Sequence, residues 1–241
     1  MKKHTLILYT ISIILFIALI AVGLNSEFAL AAGDKSIALT LKVTGDVKMK
    51  KAGADRVVPL KFGAVLDDGD WIRTGADGFA TLIFTDDKSQ IKLTANTEIT
   101  IEGKRDAQSN IAKRVSMEVG QLFAKVEQQR GILQVATPTS VASVKGTEFW
   151  VIVFEDGTTQ IVTIEGLIEL LNTQSGRIVD VRPGQRGEST PDGGIEIHIV
   201  PQDSLRRDPD PGMPPPNLIE IEVQDTDGNI RRIIMQYQVN E

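Results

Sequence analysis

The sequence predicts an all-β protein, a β-helix- or β-roll-like stack of short strands, with a β-sandwich as the alternative. Three observations carry this. Apolar residues recur with a period of two over most of the chain, Gly- and Asp-containing turns separate these segments about every ten residues, and good helix formers rarely cluster.

Taken in order, Ala80, Leu82 and Phe84 alternate with Thr81 and Ile83, and Ile91 and Leu93 with Lys92 and Thr94. Ile99 and Ile101 flank Thr100, and Val115, Met117 and Val119 alternate with Ser116 and Glu118. Each reads as a strand with one buried face, bounded by Asp77-Gly78, Asp86-Asp87-Lys88, Gly103, Gly120 and Gly131. Ala107 to Val115 reads as a loop or hairpin arm rather than a helix. Phe149 to Phe154 is apolar at every position and should be buried on both faces. Asp156-Gly157 then supplies a hairpin turn, Gln160 to Ile164 returns, and Leu167 to Leu171 follows Glu165-Gly166. Glycines at 146, 157, 166, 176 and 184 recur at near-constant intervals, the weak periodicity of stacked β coils.

From Gly187 the composition changes. Ile195 to Val200 makes one more strand, and prolines at 201, 209, 211 and 214–216 mark a strap or linker over 187–217, because proline at that density favours extended polyproline II and cannot join a central sheet. Ile219, Ile221 and Val223, the Asp227-Gly228 turn, and Ile233, Met235, Tyr237 and Val239 spell a C-terminal hairpin over 218–241. A lone hairpin is marginal in water, so it is expected to dock on the main domain or on another chain.

The N-terminus sets the expected compartment. Lys2 and Lys3 precede an apolar run from Leu6 to Leu24, and Ala29-Leu30-Ala31 offers a small-x-small cleavage site. Residues 1–31 read as an export signal cut after Ala31, or as an uncleaved anchor, since the run approaches the ~20 residues that span a bilayer. Either way Lys2 and Lys3 stay cytoplasmic, and the rest of the chain is expected in the periplasm or outside the cell. The 241 residues are 41% hydrophobic and 24% charged, within the globular range, and the formal net charge of −6 gives no general attraction for nucleic acid. With no cysteine, disulfides and thiol chemistry are excluded.

Several motifs follow one another over residues 37–186. Val43-Thr44-Gly45 opens the series; Leu66-Asp67-Asp68-Gly69-Asp70 runs through Trp71 to Thr74-Gly75; Gly120-Gln121-Leu122-Phe123 comes next. Thr137-Pro138 and Lys145-Gly146-Thr147-Glu148-Phe149 follow, and Pro183-Gly184-Gln185 closes the set. In this order they resemble the FecR family of bacterial cell-envelope domains, with Lys145 where that family usually has arginine. The resemblance implies an all-β fold of coil-stacked strands. Family regulators carry a cytoplasmic segment that controls a sigma factor; here only Met1 to Thr5 precedes the apolar run, so the anti-sigma role is not expected to carry over.

Other candidate chemistries are weaker. Asp67, Asp68 and Asp70 could ligate calcium, but a turn with Asp side chains on backbone amides is the simpler reading. Asp225 to Asn229 looks like a calcium-loop fragment out of register, better read as the hairpin turn. His198 stands alone in the expected mature chain, and Ser140, Ser143 and Ser189 lack a nucleophile elbow. Glu148, Glu155 and Glu165 flank the most apolar strands as candidate paired carboxylates. Lys145-Gly146-Thr147 has the wrong order for a phosphate loop; Gly146 is expected to make a turn and Thr147 to satisfy local backbone groups. Trp71 and Glu148 are candidate ligand or partner contacts, and Trp150 belongs in a core. No cofactor, metal or catalytic residue is expected. The reading is an exported, non-enzymatic protein-interaction or sensing module with an envelope or membrane protein as partner; a wall- or polysaccharide-binding protein is the alternative, and a β-helical polysaccharide-active enzyme the third.

Overall fold

The computed structural model describes residues 36–106, 108, 110–127, 132–201, 205, 208 and 209, and the backbone of 217–224 and 230–237. The signal or anchor, residues 1–31, lies outside the described residues, as does the Asp225 to Asn229 turn. Among the described residues there are strands and no helix, so the all-β reading holds.

The first nine strands are β1 (Ala38–Thr44), β2 (Val47–Lys50), β3 (Val57–Pro59), β4 (Val65–Leu66), β5 (Asp70–Thr74), β6 (Phe79–Phe84), β7 (Gln90–Leu93), β8 (Glu98–Arg105) and β9 (Ile111–Lys125). The next eight are β10 (Leu133–Ala136), β11 (Ser140–Val144), β12 (Glu148–Val153), β13 (Thr159–Glu165), β14 (Ile168–Asn172), β15 (Ile178–Val181), β16 (Gln185–Ser189) and β17 (Ile195–Ile199). One sheet runs β4-β1-β6-β7-β9-β12-β13-β16-β17. The other runs β3-β2-β5-β8-β9-β10-β11-β14-β15. The chain passes repeatedly from one sheet to the other, as in a roll, but in hairpins. Among the described strands every ladder is antiparallel except β9 with β10.

Strand β9 joins the sheets. Its N-terminal half pairs with β8 and β10 and its C-terminal half with β7 and β12. Its buried positions change parity on the way, from Ile111, Val115 and Met117 to Leu122 and Ala124. A period-two strand can turn opposite faces inward only if its backbone breaks between the halves. Gly120 makes that break at φ +107°, and a Cβ there would lie 2.4 Å from the Thr97 Cα, so no other residue fits.

Inward residues of both sheets form one apolar core, with Leu82, Ile91, Leu122, Phe149 and Ile161 from the first sheet and Ile72, Ile99, Val115, Val135 and Leu170 from the second. The glycine rhythm is a rhythm of turns: Gly146, Gly157, Gly166, Gly176 and Gly184 all have positive φ. Phe149 to Val153 is buried at every position as expected, but Phe154 lies beyond the strand end and is 38% exposed. Strands β16 and β17 extend the first sheet to Ile199, past the composition break at Gly187. The C-terminal hairpin is present as β18 (Asn217–Gln224) and β19 (Ile230–Tyr237), with Ile219 opposite Met235 and Ile221 opposite Ile233.

Candidate functional site

The Asp-Gly-Asp turn is occupied by the chain itself. Asp70 is fully buried at the start of β5, where one carboxylate oxygen accepts from Ala52 N–H at 3.1 Å. The other accepts from Asp67 N–H at 2.9 Å and from Lys51 Nζ at 2.7 Å. Lys51 also donates to Asp67 and to the Val65 carbonyl, and Asp68 accepts from Gly103 N–H. Burial opposes the charge on Lys51, but hydrogen bonds to Asp67 and Asp70 outweigh it and hold its pKa above the ordinary lysine value. Asp67 and Asp70 thus bind the loop after β2 to the turn before β5, and Asp68 ties that turn to β8, as turn chemistry predicts. Gly69 makes the turn with φ +81°.

The next motif residues close the other end of β5. Thr74 is buried and donates to the Thr94 carbonyl at 2.6 Å while accepting from Thr97 N–H at 2.8 Å. Gly75 N–H bonds the Asp46 carbonyl. At Thr137-Pro138 a hydroxyl cluster does equivalent work. Thr137 Oγ1 accepts from Ser140 N–H and lies 2.7 Å from Thr159 Oγ1. Thr139 Oγ1 donates to the Gly157 carbonyl, and Thr173 Oγ1 donates to the Thr139 carbonyl. Three successive hairpin turns are thereby laced together. Asn172, fully buried, completes this network: its Nδ2 donates to Ser189 Oγ, and its Oδ1 accepts from Gln174 and Ser175 N–H.

In the Lys145 to Phe149 segment, Lys145 is exposed and pairs with none of the described residues. Gly146 turns with φ +66°. Thr147 departs from expectation. Its hydroxyl is buried without a hydrogen-bond partner among the described residues, while its carbonyl accepts from Val126 N–H. Packing explains this, since the Thr147 methyl sits where a side chain at Gly166 would be, 2.4 Å from an ideal Cβ. Phe149 is fully buried in the core. Glu148 bonds Lys125 Nζ at 2.6 Å, and that bond raises the Lys125 pKa. In the closing motif Pro183 is exposed, Gly184 N–H bonds the Thr163 carbonyl, and the Gln185 side chain accepts from Arg182 N–H.

The other candidates do not converge. His198 lies 3.5 Å from Glu196 and registers with Arg186, whereas Ser189 registers with Ile195, three residues and about 10 Å along β17. Glu148 and Glu165 are cross-strand neighbours with Lys125 on the first, while Glu155 follows the other end of β12.

Two outer sheet faces remain. On the second sheet, Lys50, Trp71, Thr100 and Ser116 register in one row, and all four are half-buried. Trp71 donates its indole N–H to Glu98 at 2.8 Å, with Lys50 Nζ 5.9 Å from the ring centre. On the first sheet, a row runs Lys42, Thr81, Lys92, Phe123, Trp150, Val162, Arg186, His198. Within it Thr81, Phe123, Trp150 and Arg186 are buried although they point away from the core. Phe123 and Trp150 meet with ring centres 5.4 Å apart. Trp150 is thus buried as expected, but outside the main core. Sequence reasoning gave Lys92, Phe123 and Arg186 no place on an outer face; the signal available was the two-faced apolarity of β12, which requires burial on both sides of the sheet.

The family model described as FecR protein matches residues 70–169, from β5 into β14. No curated protein matches the chain. Among solved structures, two crystal structures of a protein from Parabacteroides distasonis, provisionally designated an anti-sigma factor, align at 19% identity with TM-scores of 0.46 and 0.45. Each alignment covers 54% of this chain and 59% of the other, less than two thirds of its length. Residues 70–169 of this chain are thus similar to the FecR domain, and the match lies within the segment whose motifs resemble that family.

Proposed function

We propose that the chain is an exported, non-enzymatic protein-interaction and sensing module of the bacterial cell envelope, which captures an envelope or membrane protein by strand addition. The supporting observation is the edge strand β17. Among the described strands it pairs on one side only, and it leaves Ile197 36% and Ile199 86% exposed. Of the other edges, β4 has two residues and β3 has three and ends in Pro59; β15 has four, with Asp180 on it and Ile178 exposed. An open row of backbone donors and acceptors beside exposed isoleucines fits an extended partner segment. The motif residues Asp70, Thr74 and Thr137 spend their polar groups on loop closure, which favours a role in the fold over one toward the partner.

The test is site-specific photo-cross-linking in cells, from position 199 and from the exposed control Phe62. One envelope protein captured from 199 and not from 62, and lost in the Ile199→Asp chain, is the expected result. Equal or no capture from both positions rejects strand addition at β17. A polysaccharide-binding role has one supporting observation, the half-exposed Trp71 on the open second-sheet face beside Lys50. Co-sedimentation with purified wall glycan that falls in Trp71→Ala is the result that would favour it.

A further inference from the structure

The flank closed by β3 and β4 differs in charge from the rest of the chain. The net charge is −6, yet residues 36–65 hold six Lys or Arg and two Asp. They form β1 to β4. β4 edges the first sheet beside β1, β3 edges the second beside β2, and residues 60–64 cross from one edge to the other. Backbone bonds fix that crossing: Leu60 N–H donates to the Val47 carbonyl and Gly63 N–H to the Thr40 carbonyl, both at 2.8 Å. Leu60 enters the core, while Phe62 stands on the turn 78% exposed. The register of β1 against β6 slips between Thr40 and Lys42, and Leu41, the extra residue of that bulge, is exposed. Val65 on β4 is exposed as well. Lys48 pairs with Asp46, and Lys51 is held by Asp67 and Asp70. Lys42, Arg56 and Lys61 are exposed and make no ion pair among the described residues.

We propose that this flank is a membrane-contact surface that rests on anionic phospholipid, with Leu41 and Phe62 entering the interface and Lys42, Arg56 and Lys61 on the headgroups. Exposed apolar groups rimmed by charge mark either a protein or a membrane partner. Two features favour the membrane. The apolar side chains project from a turn and a bulge, and a convex tip inserts into an interface rather than receiving an anchor residue. The cations beside them exceed the acids, with Asp46 already neutralised by Lys48 and Asp55 left against three unpaired cations. Apolar burial added to attraction for anionic headgroups is the combination that holds peripheral segments at a bilayer surface. β4 and β17 end the first sheet on opposite sides, so a flank seated on lipid leaves the β17 edge free.

The chain has no cysteine, so one introduced thiol reports one place. The test uses the full chain with an environment-sensitive fluorophore on Leu41→Cys or, at the far edge of the second sheet, on Ile178→Cys. Each is mixed with vesicles carrying an acyl-chain quencher, made of phosphatidylcholine alone or of equal parts phosphatidylcholine and phosphatidylglycerol. Quenching at 41 in anionic vesicles, weak in neutral ones and reduced by added salt, with none at 178, is the expected result. Lys61→Ala is expected to lower the ratio of quenched to unquenched label at 41 about fivefold, the usual effect of one cation near an anionic surface, and Phe62→Ser to lower it as well. Attachment through the Leu6 to Leu24 run alone would leave 41 and 178 alike, and that result overturns the proposal. So does an unquenched label at 41, or quenching indifferent to lipid charge. Contact at 41 that survives both Lys61→Ala and Phe62→Ser overturns the assigned residues. A probe at 62 that faces lipid captures no protein, so the cross-linking result for β17 stands or falls separately.

Discussion

The two outer sheet faces follow the same strand alternation and end in opposite states. On the second sheet Lys48, Arg73, Arg114, Glu169 and Asp180 are exposed and Trp71 is half-buried. On the first, Phe123, Trp150, Ile152, Gln160, Arg186 and Glu188 are all buried, although none belongs to the central core cluster. Period-two patterning decides which way a side chain points, but not by itself whether that position is dry. The covered face holds polar as well as apolar groups, and they answer one another: Gln160 donates to Glu188 at 2.9 Å, with Arg186 3.8 Å away. The open face keeps its charges in water, where ion pairs such as Arg73 with Glu98 at 3.9 Å contribute little.

The tryptophans give the largest contrast. Trp150→Ala on the covered face is expected to cost about 3–5 kcal/mol, the usual range for emptying a buried aromatic site. Trp71→Ala on the open face is expected to cost about 1 kcal/mol or less, because its ring is half in water and one hydrogen bond to Glu98 is lost. Urea midpoints of the two variants decide. Equal losses would mean that the first sheet's outer face is not sealed from solvent.

Carboxylates sharpen the comparison at smaller amplitude. Asp70→Ala removes the buried carboxylate that Lys51 and two backbone amides bond, and about 1–3 kcal/mol of stability should go with it. Glu98→Gln, on the open face, is expected to move stability by about 0.5 kcal/mol or less. Thermal unfolding that ranks Glu98→Gln with Asp70→Ala would show that the motif aspartate is not the anchor its hydrogen bonds imply.

Much of this was legible in the residues. The alternations around Leu82, Ile91, Ile99 and Val115 placed four strands, and the glycines at 146, 157, 166, 176 and 184 placed five turns, because both signals are local. The burial of both faces of β12 was legible too, from Phe149 to Val153, but not its cause. The row that joins Lys92 to Phe123, Trp150 and Arg186 depends on the register of strands far apart in sequence, which no local pattern encodes. Thr147 misled for a related reason: a threonine after a turn glycine ordinarily bonds nearby backbone, but here the approach of Gly166 makes its methyl the working group. The hydroxyl cluster at Thr137, Thr139 and Thr159 likewise forms only when three hairpins meet.

The smallest effects belong to the lysines, and pH separates them. Lys51 and Lys125 both have pKa values raised above the ordinary lysine value, Lys51 despite its burial and through Asp67 and Asp70, Lys125 through Glu148. A cation whose pKa is higher in the folded than in the unfolded chain adds stability that is complete below the unfolded value, near 10.4, and disappears as pH rises through the folded one. Both side chains are more than a third exposed, so solvent screening limits each contribution at neutral pH. Lys125→Met is expected to lower stability slightly at pH 7 and to converge with the unmodified chain as pH rises through the raised folded value. Added salt should shrink the neutral-pH difference for Lys125, whose pair lies on the rim of the first sheet, more than for Lys51, whose partner Asp70 is fully buried. Denaturation midpoints measured at pH 7 and above the raised folded value, each at low and high salt, test this. A Lys125→Met deficit that persists above the raised folded value would mean that the side chain contributes by something other than its charge.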